Sequence, residues 1–148
     1  DLRGNVDTRI RKLKENQYDA IILARAGIKR LGLIDSVKYA TAIDTDIMIP
    51  AMAQGALGIE TNKDPEIIEL VKQLDDKATR ICTTIEREFV KELQLGCHAP
   101  VGIKAKLQDD GTIKVKAILE KADGTLLRKE IISDEFDGLG IKFAEEFK

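Results

Sequence analysis

The sequence predicts an α/β portion followed by a small α+β domain. Two observations carry this reading. From Tyr18 to about Thr61, apolar runs of strand length alternate with short helical patterns, the order that builds an α/β sheet. After Pro100 the pattern changes to strict apolar/polar alternation punctuated by Asp-Gly turn signals, which marks an antiparallel meander.

Each element has a local cause. Asn5 is placed to cap a helix starting near Val6, with Asp7 favourable in its first turn. Val6, Ile10 and Leu13 form its apolar stripe. Tyr18 to Ala24 reads as a buried parallel strand. Ala26 to Leu31 is a short helix closed by Gly32, and Val37 to Ile43 and Ile47 to Ala51 are extended pieces around Asp44-Thr45-Asp46. Gly55 to Thr61 reads as another strand. Asp64 and Pro65 then open a helix with Ile67, Ile68, Val71 and Leu74 on its buried face. Asp75-Asp76 interrupts the pattern. A longer helix follows, with Ala78, Ile81, Cys82, Ile85, Phe89 and Leu93 on one side. Val101 to Leu107, Ile113 to Leu119 and Leu126 to Ile132 are the meander, with turns at Asp109-Asp110-Gly111 and Ala122-Asp123-Gly124. A final helix begins near Leu139.

Composition limits the function classes. The chain has 148 residues, 43% hydrophobic and 34% charged, so it can bury a core and stay in solution. A net charge of −2 argues against generic nucleic-acid binding. Basic residues nevertheless gather early, from Arg3 to Arg30. Two cysteines are too few for a secreted disulfide scaffold, and one histidine is too few for a His-rich metal site. No apolar run reaches membrane-spanning length and no signal peptide is visible, so a cytoplasmic setting without a membrane partner is expected. The first residue is not Met, and the opening reads like the end of a strand. The chain is therefore expected to be part of a longer protein.

Several residues can carry chemistry. Arg3 ends the opening strand pattern before a helix N-terminus, Arg9 lies about a turn further on, and Arg30 closes the next short helix. Ligands of open α/β sheets gather at the carboxyl ends of strands. Guanidinium groups converging there would grip a polycarboxylate bidentately; the alternative is solvated surface arginines. Cys82 reads as a small core residue. Cys97 sits in a Gly/Pro-bounded loop, Leu95 to Gly102, after the C-terminal end of a helix, where a thiolate is not favoured. Covalent attachment of a group and an incidental loop thiol both remain open from the residues alone. Gln54-Gly55 lies in a passage that lacks the Lys and Ser/Thr of a phosphate loop. It is either a plain turn or a close backbone approach to a ligand. His98 reads as a loop residue, and Asp44 and Asp46 as solvated carboxylates rather than metal ligands.

Five stretches in this order resemble the porphobilinogen deaminase (hydroxymethylbilane synthase) family: Arg3-Gly4-Asn5-Val6-Asp7-Thr8-Arg9, Tyr18 to Ala24, Ala26 to Gly32, Gln54-Gly55-Ala56-Leu57-Gly58-Ile59-Glu60, and Gly96-Cys97-His98-Ala99-Pro100-Val101-Gly102. The resemblance implies a transferase of tetrapyrrole biosynthesis. It deaminates porphobilinogen and adds four units to a dipyrromethane cofactor, and hydrolysis releases the linear product. Cys97 would carry that cofactor through a thioether. Arg9, Arg30, Ala24, Gln54 and Gly55 would contact the cofactor, and Arg3, Arg9 and Arg30 the substrate. No metal is implied. Leu95 stands where the family usually has a second glycine before the cysteine, and Ala53 where it has a glycine before Gln-Gly.

The family layout makes residues 1–46 the later half of a second α/β domain of the periplasmic-binding-protein-like type. Residues 47–77 would be a segment crossing back to the first domain, and residues 78–148 a C-terminal cofactor-carrying domain. The family's catalytic aspartate would lie upstream, so the 148-residue chain alone is expected to be inactive and the complete protein monomeric. The competing class is a non-catalytic carboxylate-binding module, since such proteins share similar α/β halves.

Overall fold

The computed structural model describes residues 2–96 and 99–148, and it divides into two compact units, Asp1–Asp44 and Thr45–Lys148. In the first unit, α1 spans Val6–Lys14 and α2 spans Arg25–Arg30, followed by a 3-10 turn at Ile34–Ser36. The Asn5 side chain accepts from the Thr8 amide at 3.0 Å, so the expected cap forms. Ile10 is buried at 4% exposure and anchors the α1 stripe. Gly32, at φ +65°, ends the α2 turn as expected, because only glycine enters that region without steric cost.

The strands expected in residues 18–61 are not formed. Tyr18 to Ala24, Val37 to Ile43, Ile47 to Ala51 and Gly55 to Thr61 carry no strand ladder, and Ile22, Tyr39, Ile43, Ile47, Leu57 and Ile59 are exposed. A strand exists only when a neighbour completes its hydrogen bonds, and an apolar run cannot supply that neighbour.

In the second unit, α3 (Pro65–Lys72) starts on Asp64, whose side chain accepts from the Glu66 amide at 2.9 Å. Its apolar stripe stays open: Ile67, Leu70 and Leu74 are exposed, and none of Ile67, Ile68, Val71 and Leu74 is buried. Amphipathicity requires a partner surface before it produces burial. The longer helix α4 (Lys77–Glu92) starts on Asp76, which accepts from the Thr79 amide at 2.7 Å.

Strands β1 (Val101–Leu107), β2 (Ile113–Glu120) and β3 (Leu126–Ser133) form an antiparallel sheet in the order β1-β2-β3. The register pairs Val101 with Leu119 and Ile113 with Ser133. The strands turn through Gly111 at φ +84° and Gly124 at φ +81°, with Asp110 and Asp123 accepting from the amides of Thr112 and Thr125. Ile103, Ala105, Ile113, Val115, Ala117 and Leu119 face the core, where α4 and α5 (Leu139–Glu145) cover them. Phe89, Phe143 and Phe147 meet at 5.0–5.5 Å between ring centroids, two of the three pairs edge to face, which satisfies the ring quadrupoles as it fills the space. The other sheet face is basic: Lys104 opposes Lys116 and Lys106 opposes Lys114. Lys114 and Lys116 are offset by Glu130, and Lys116 also by Asp46.

Candidate functional site

The first unit builds a basic corner at the start of α1. Gly4 turns the chain at φ +119°, and a Cβ there would stand 2.8 Å from Thr8 Cγ2, so a larger residue is strained and displaces Thr8. That turn aims the Gly4 carbonyl back along the helix, where Arg9 Nε donates to it at 2.7 Å. The guanidinium is held by its Nε, and its two terminal nitrogens form the edge that matches a carboxylate. Lys12 Nζ donates to the Arg3 carbonyl at 3.2 Å, adding a second cation to the same turn.

Helix α2 lies against this corner, since a methyl at Gly27 would stand 3.8 Å from Val6 Cγ2. Ala24 is its N-cap, and the Ala24 carbonyl accepts from the Gly27 amide at 3.1 Å. The helix bears Arg25, Lys29 and Arg30 and no acidic residue. Among the described residues no carboxylate pairs with Arg9 or Arg30. Arg3, Arg9, Ala24 and Arg30 thus share one unit, with Arg3, Ala24 and Arg30 exposed and Arg9 half-buried.

Gln54 and Gly55 belong to the second unit. They occupy two overlapping turns, closed by the Gln54 amide on the Ala51 carbonyl at 3.1 Å and the Ala56 amide on the Ala53 carbonyl at 3.0 Å. Gly55 has φ +90° with nothing within 4 Å of a would-be Cβ, so backbone conformation and not crowding requires glycine here. Ala53 has φ +56°, a left-handed conformation uncommon for a residue with a Cβ. Cys97 and His98 lie outside the described residues.

Two further positions carry reactive side chains. Cys82 packs against the core cluster, and burial pushes its thiol up from the ordinary value. Asp46 is 2.7 Å from Lys116, whose hydrogen bond holds the carboxyl below the usual aspartate value and in turn raises the lysine. Among the described residues, no group of three or more His, Cys, Asp and Glu is placed to hold a metal.

One residue escaped the sequence reading. Glu86 is buried at 4% exposure, its Oε2 accepting from the Ala53 amide at 2.7 Å and its Oε1 from the Ala105 amide at 2.8 Å. Its spacing on α4 was the available signal: Glu86 falls between Cys82, Ile85 and Phe89, on the apolar side of the helix.

Two family models match the chain. The family model described as "Porphobilinogen deaminase, dipyromethane cofactor binding domain" matches residues 1–69. The model described as "Porphobilinogen deaminase, C-terminal domain" matches residues 80–148. The chain is 50% identical over 154 aligned residues to a porphobilinogen deaminase of Sulfurimonas denitrificans, covering 99% of this chain and 48% of that protein. It is 49% identical to one of Campylobacter hominis and 47% identical to one of Aliarcobacter butzleri, each match again covering 99% of this chain and 48% of the relative. The chain spans about half the length of the curated relatives it matches. With both models and these identities spread along its length, the chain belongs to the porphobilinogen deaminase family.

Proposed function

We propose that the protein takes part in porphobilinogen deamination and polymerisation, joining four porphobilinogen units to a dipyrromethane primer tethered at Cys97. The observation that carries this reading is the Arg9 guanidinium, fixed through Nε on the Gly4 carbonyl beside a helix that bears three cations and no acid. A gathering of cations of this kind attracts anions, and each pyrrole of the growing chain brings an acetate and a propionate. The residues therefore fit a carboxylate-rich primer. When bound, that group supplies the pyrrole carbon at which chain growth starts.

This chain's residues bind and orient. Arg9 and Arg30 hold primer and substrate carboxylates, Arg3 adds to the substrate side, and Ala24, Gln54 and Gly55 approach the primer closely. The domain layout inferred from the family belongs to the same proposal: residues 1–46 as the later half of a periplasmic-binding-protein-like domain, residues 47–77 as a crossing segment, and residues 78–148 as the primer-carrying domain. So does a monomeric, cytoplasmic protein. Among the described residues no helix is long and apolar enough to cross a membrane.

The test uses the complete polypeptide encoded by the gene. Intact mass should show an addition matching a dipyrromethane, absent in Cys97→Ser, together with consumption of porphobilinogen. Arg9→Lys and Arg30→Lys should each lower kcat/KM, because a lysine cannot reproduce bidentate geometry. An unmodified, fully active wild-type polypeptide overturns the reading, and an unmodified, inactive one that binds carboxylates favours the binding module.

A further inference from the structure

We infer that Glu86 is a positioning residue: its buried carboxylate fixes the Ala53–Gly55 turn against the C-terminal domain and so sets where Gln54 and Gly55 meet the primer. The inference rests on the primer-binding role proposed above for those two residues.

β1 is an edge strand, and in an antiparallel ladder alternate residues point their N–H groups away from the partner strand. On β1 those outward donors include Val101, Ile103 and Ala105. Each finds a different acceptor: Val101 the Ala99 carbonyl at 2.8 Å, Ile103 the Pro50 carbonyl at 2.9 Å, and Ala105 the Glu86 Oε1 at 2.8 Å. Glu86 thus completes the edge with a side chain where a fourth strand would have used backbone.

Its second oxygen reaches the turn. Oε2 accepts from the Ala53 amide at 2.7 Å, so one rigid carboxylate spans α4, the sheet edge and the turn. Ala53 is the residue at φ +56°, followed within two positions by Gly55 at φ +90°. A left-handed residue with a Cβ persists only where its surroundings over-determine it. Here the fixing contacts are the Glu86 bond and the docking of the preceding segment. In that segment Ile49 is 9% exposed, and its carbonyl would stand 2.7 Å from any Cβ at Gly102. Both donors to Glu86 are neutral amides. Each of them takes one oxygen of the Glu86 carboxyl group. An amide at this position would offer one acceptor and turn an NH2 toward the other N–H.

Glu86 also sits on α4, the helix whose C-cap is Leu93 and after which the chain continues to Cys97. The carboxylate couples the turn that meets the primer to the helix that leads to its tether. It touches no reacting atom. Its loss should change the rate through the position of Gln54 and Gly55, not through attachment of the primer.

The experiment compares wild type, Glu86→Gln and Glu86→Asp in the complete polypeptide. It reads intact mass, kcat and KM for porphobilinogen, and amide hydrogen exchange of the peptides covering Ala53–Gly55 and β1. Expected for Glu86→Gln are a primer still attached and kcat reduced about tenfold or more, as small misplacements near a reacting group produce. KM should stay within about threefold, because the arginines are untouched. Exchange should accelerate at Ala53–Gly55. Glu86→Asp carries the same comparison if the glutamine variant does not accumulate, with the shortened carboxylate also losing the turn. A variant with its primer attached and wild-type kcat overturns the inference, as does a slowed variant whose Ala53–Gly55 exchange is unchanged. A wild-type polypeptide without a primer would instead sink the functional reading beneath it, which keeps the two failures apart.

Discussion

Gly140 offers a sharp test of how the C-terminal core is assembled. It lies in the first turn of α5, where that helix crosses α4. A Cβ there would collide with the Ile85 carbonyl oxygen, and would stand 2.6 Å from Glu88 Cβ and 2.9 Å from the Phe89 backbone nitrogen. None of these can swing aside cheaply. The Ile85 carbonyl and Phe89 amide are backbone of α4, where carbonyl and amide four residues apart bond to each other. The Gly140 amide also donates to Glu88 Oε2 at 3.2 Å, so separating the helices removes that bond. In Gly140→Ala the intrinsic helix gain is about 0.5–1 kcal/mol. Overpacking costs about 1–3 kcal/mol, and rigid collision partners place it near the top of that range. The net loss is about 2 kcal/mol. At about 4 °C per kcal/mol for a domain of this size, the melting temperature falls by about 8 °C. Gly58→Ala is the matched control, because nothing lies within 4 Å of a Cβ at Gly58 and its φ is not left-handed. Thermal unfolding followed by far-UV circular dichroism reads both variants. If Gly140→Ala melts with the wild type while its secondary structure is intact, close approach of α5 to α4 is not what orders this core.

The remaining expectations concern local strain, ionisation and the buried thiol. Gly4→Ala meets both φ +119° and Thr8, so it should destabilise the start of α1 by about 1–3 kcal/mol, seen as earlier urea unfolding of that unit; unchanged unfolding refutes the steric reading. Lys148 donates to both Glu92 and Glu145 at 2.7 Å, and its hydrogen bond holds the Glu92 carboxyl below its ordinary 4.5. A depressed folded value means the stabilisation is present above 4.5 and disappears as pH falls through the lower folded value. The melting-temperature gap between wild type and Lys148→Met should therefore narrow below about pH 4.5, and a gap that persists to about pH 3 would count against the pairing. Because burial raises Cys82 above its ordinary 9.0, alkylation followed by peptide mapping should find it slower than a free peptide thiol at pH 8, with the rate still climbing at pH values above 9.0 where a free thiol levels off. Equal rates would mean that the thiol is not shielded.

What the residues determined by themselves was local. Asn5 and Asp64 each cap a helix, and so does Asp76, legible beforehand only as an interruption, because a short polar side chain can meet an amide two or three positions on without help from the rest of the chain. The meander was equally legible, since alternation from Val101 onward and Asp-Gly turns fix strands, faces and register within one continuous stretch. The resemblance of five stretches taken together, from Arg3–Arg9 to Gly96–Gly102, carried the family. What only tertiary structure decided was which apolar segments find a neighbour. Among the described residues, Tyr18 to Ala24 and Gly55 to Thr61 have strand composition but no ladder, and the α3 stripe is not buried, because both outcomes depend on atoms far away in sequence. Glu86 is the clearest case. As a letter it is one charge among many on an amphipathic helix. Its role appears only when folding brings the amides of Ala53 and Ala105 to its two oxygens, since a buried carboxylate is tolerated where donors are already waiting for it.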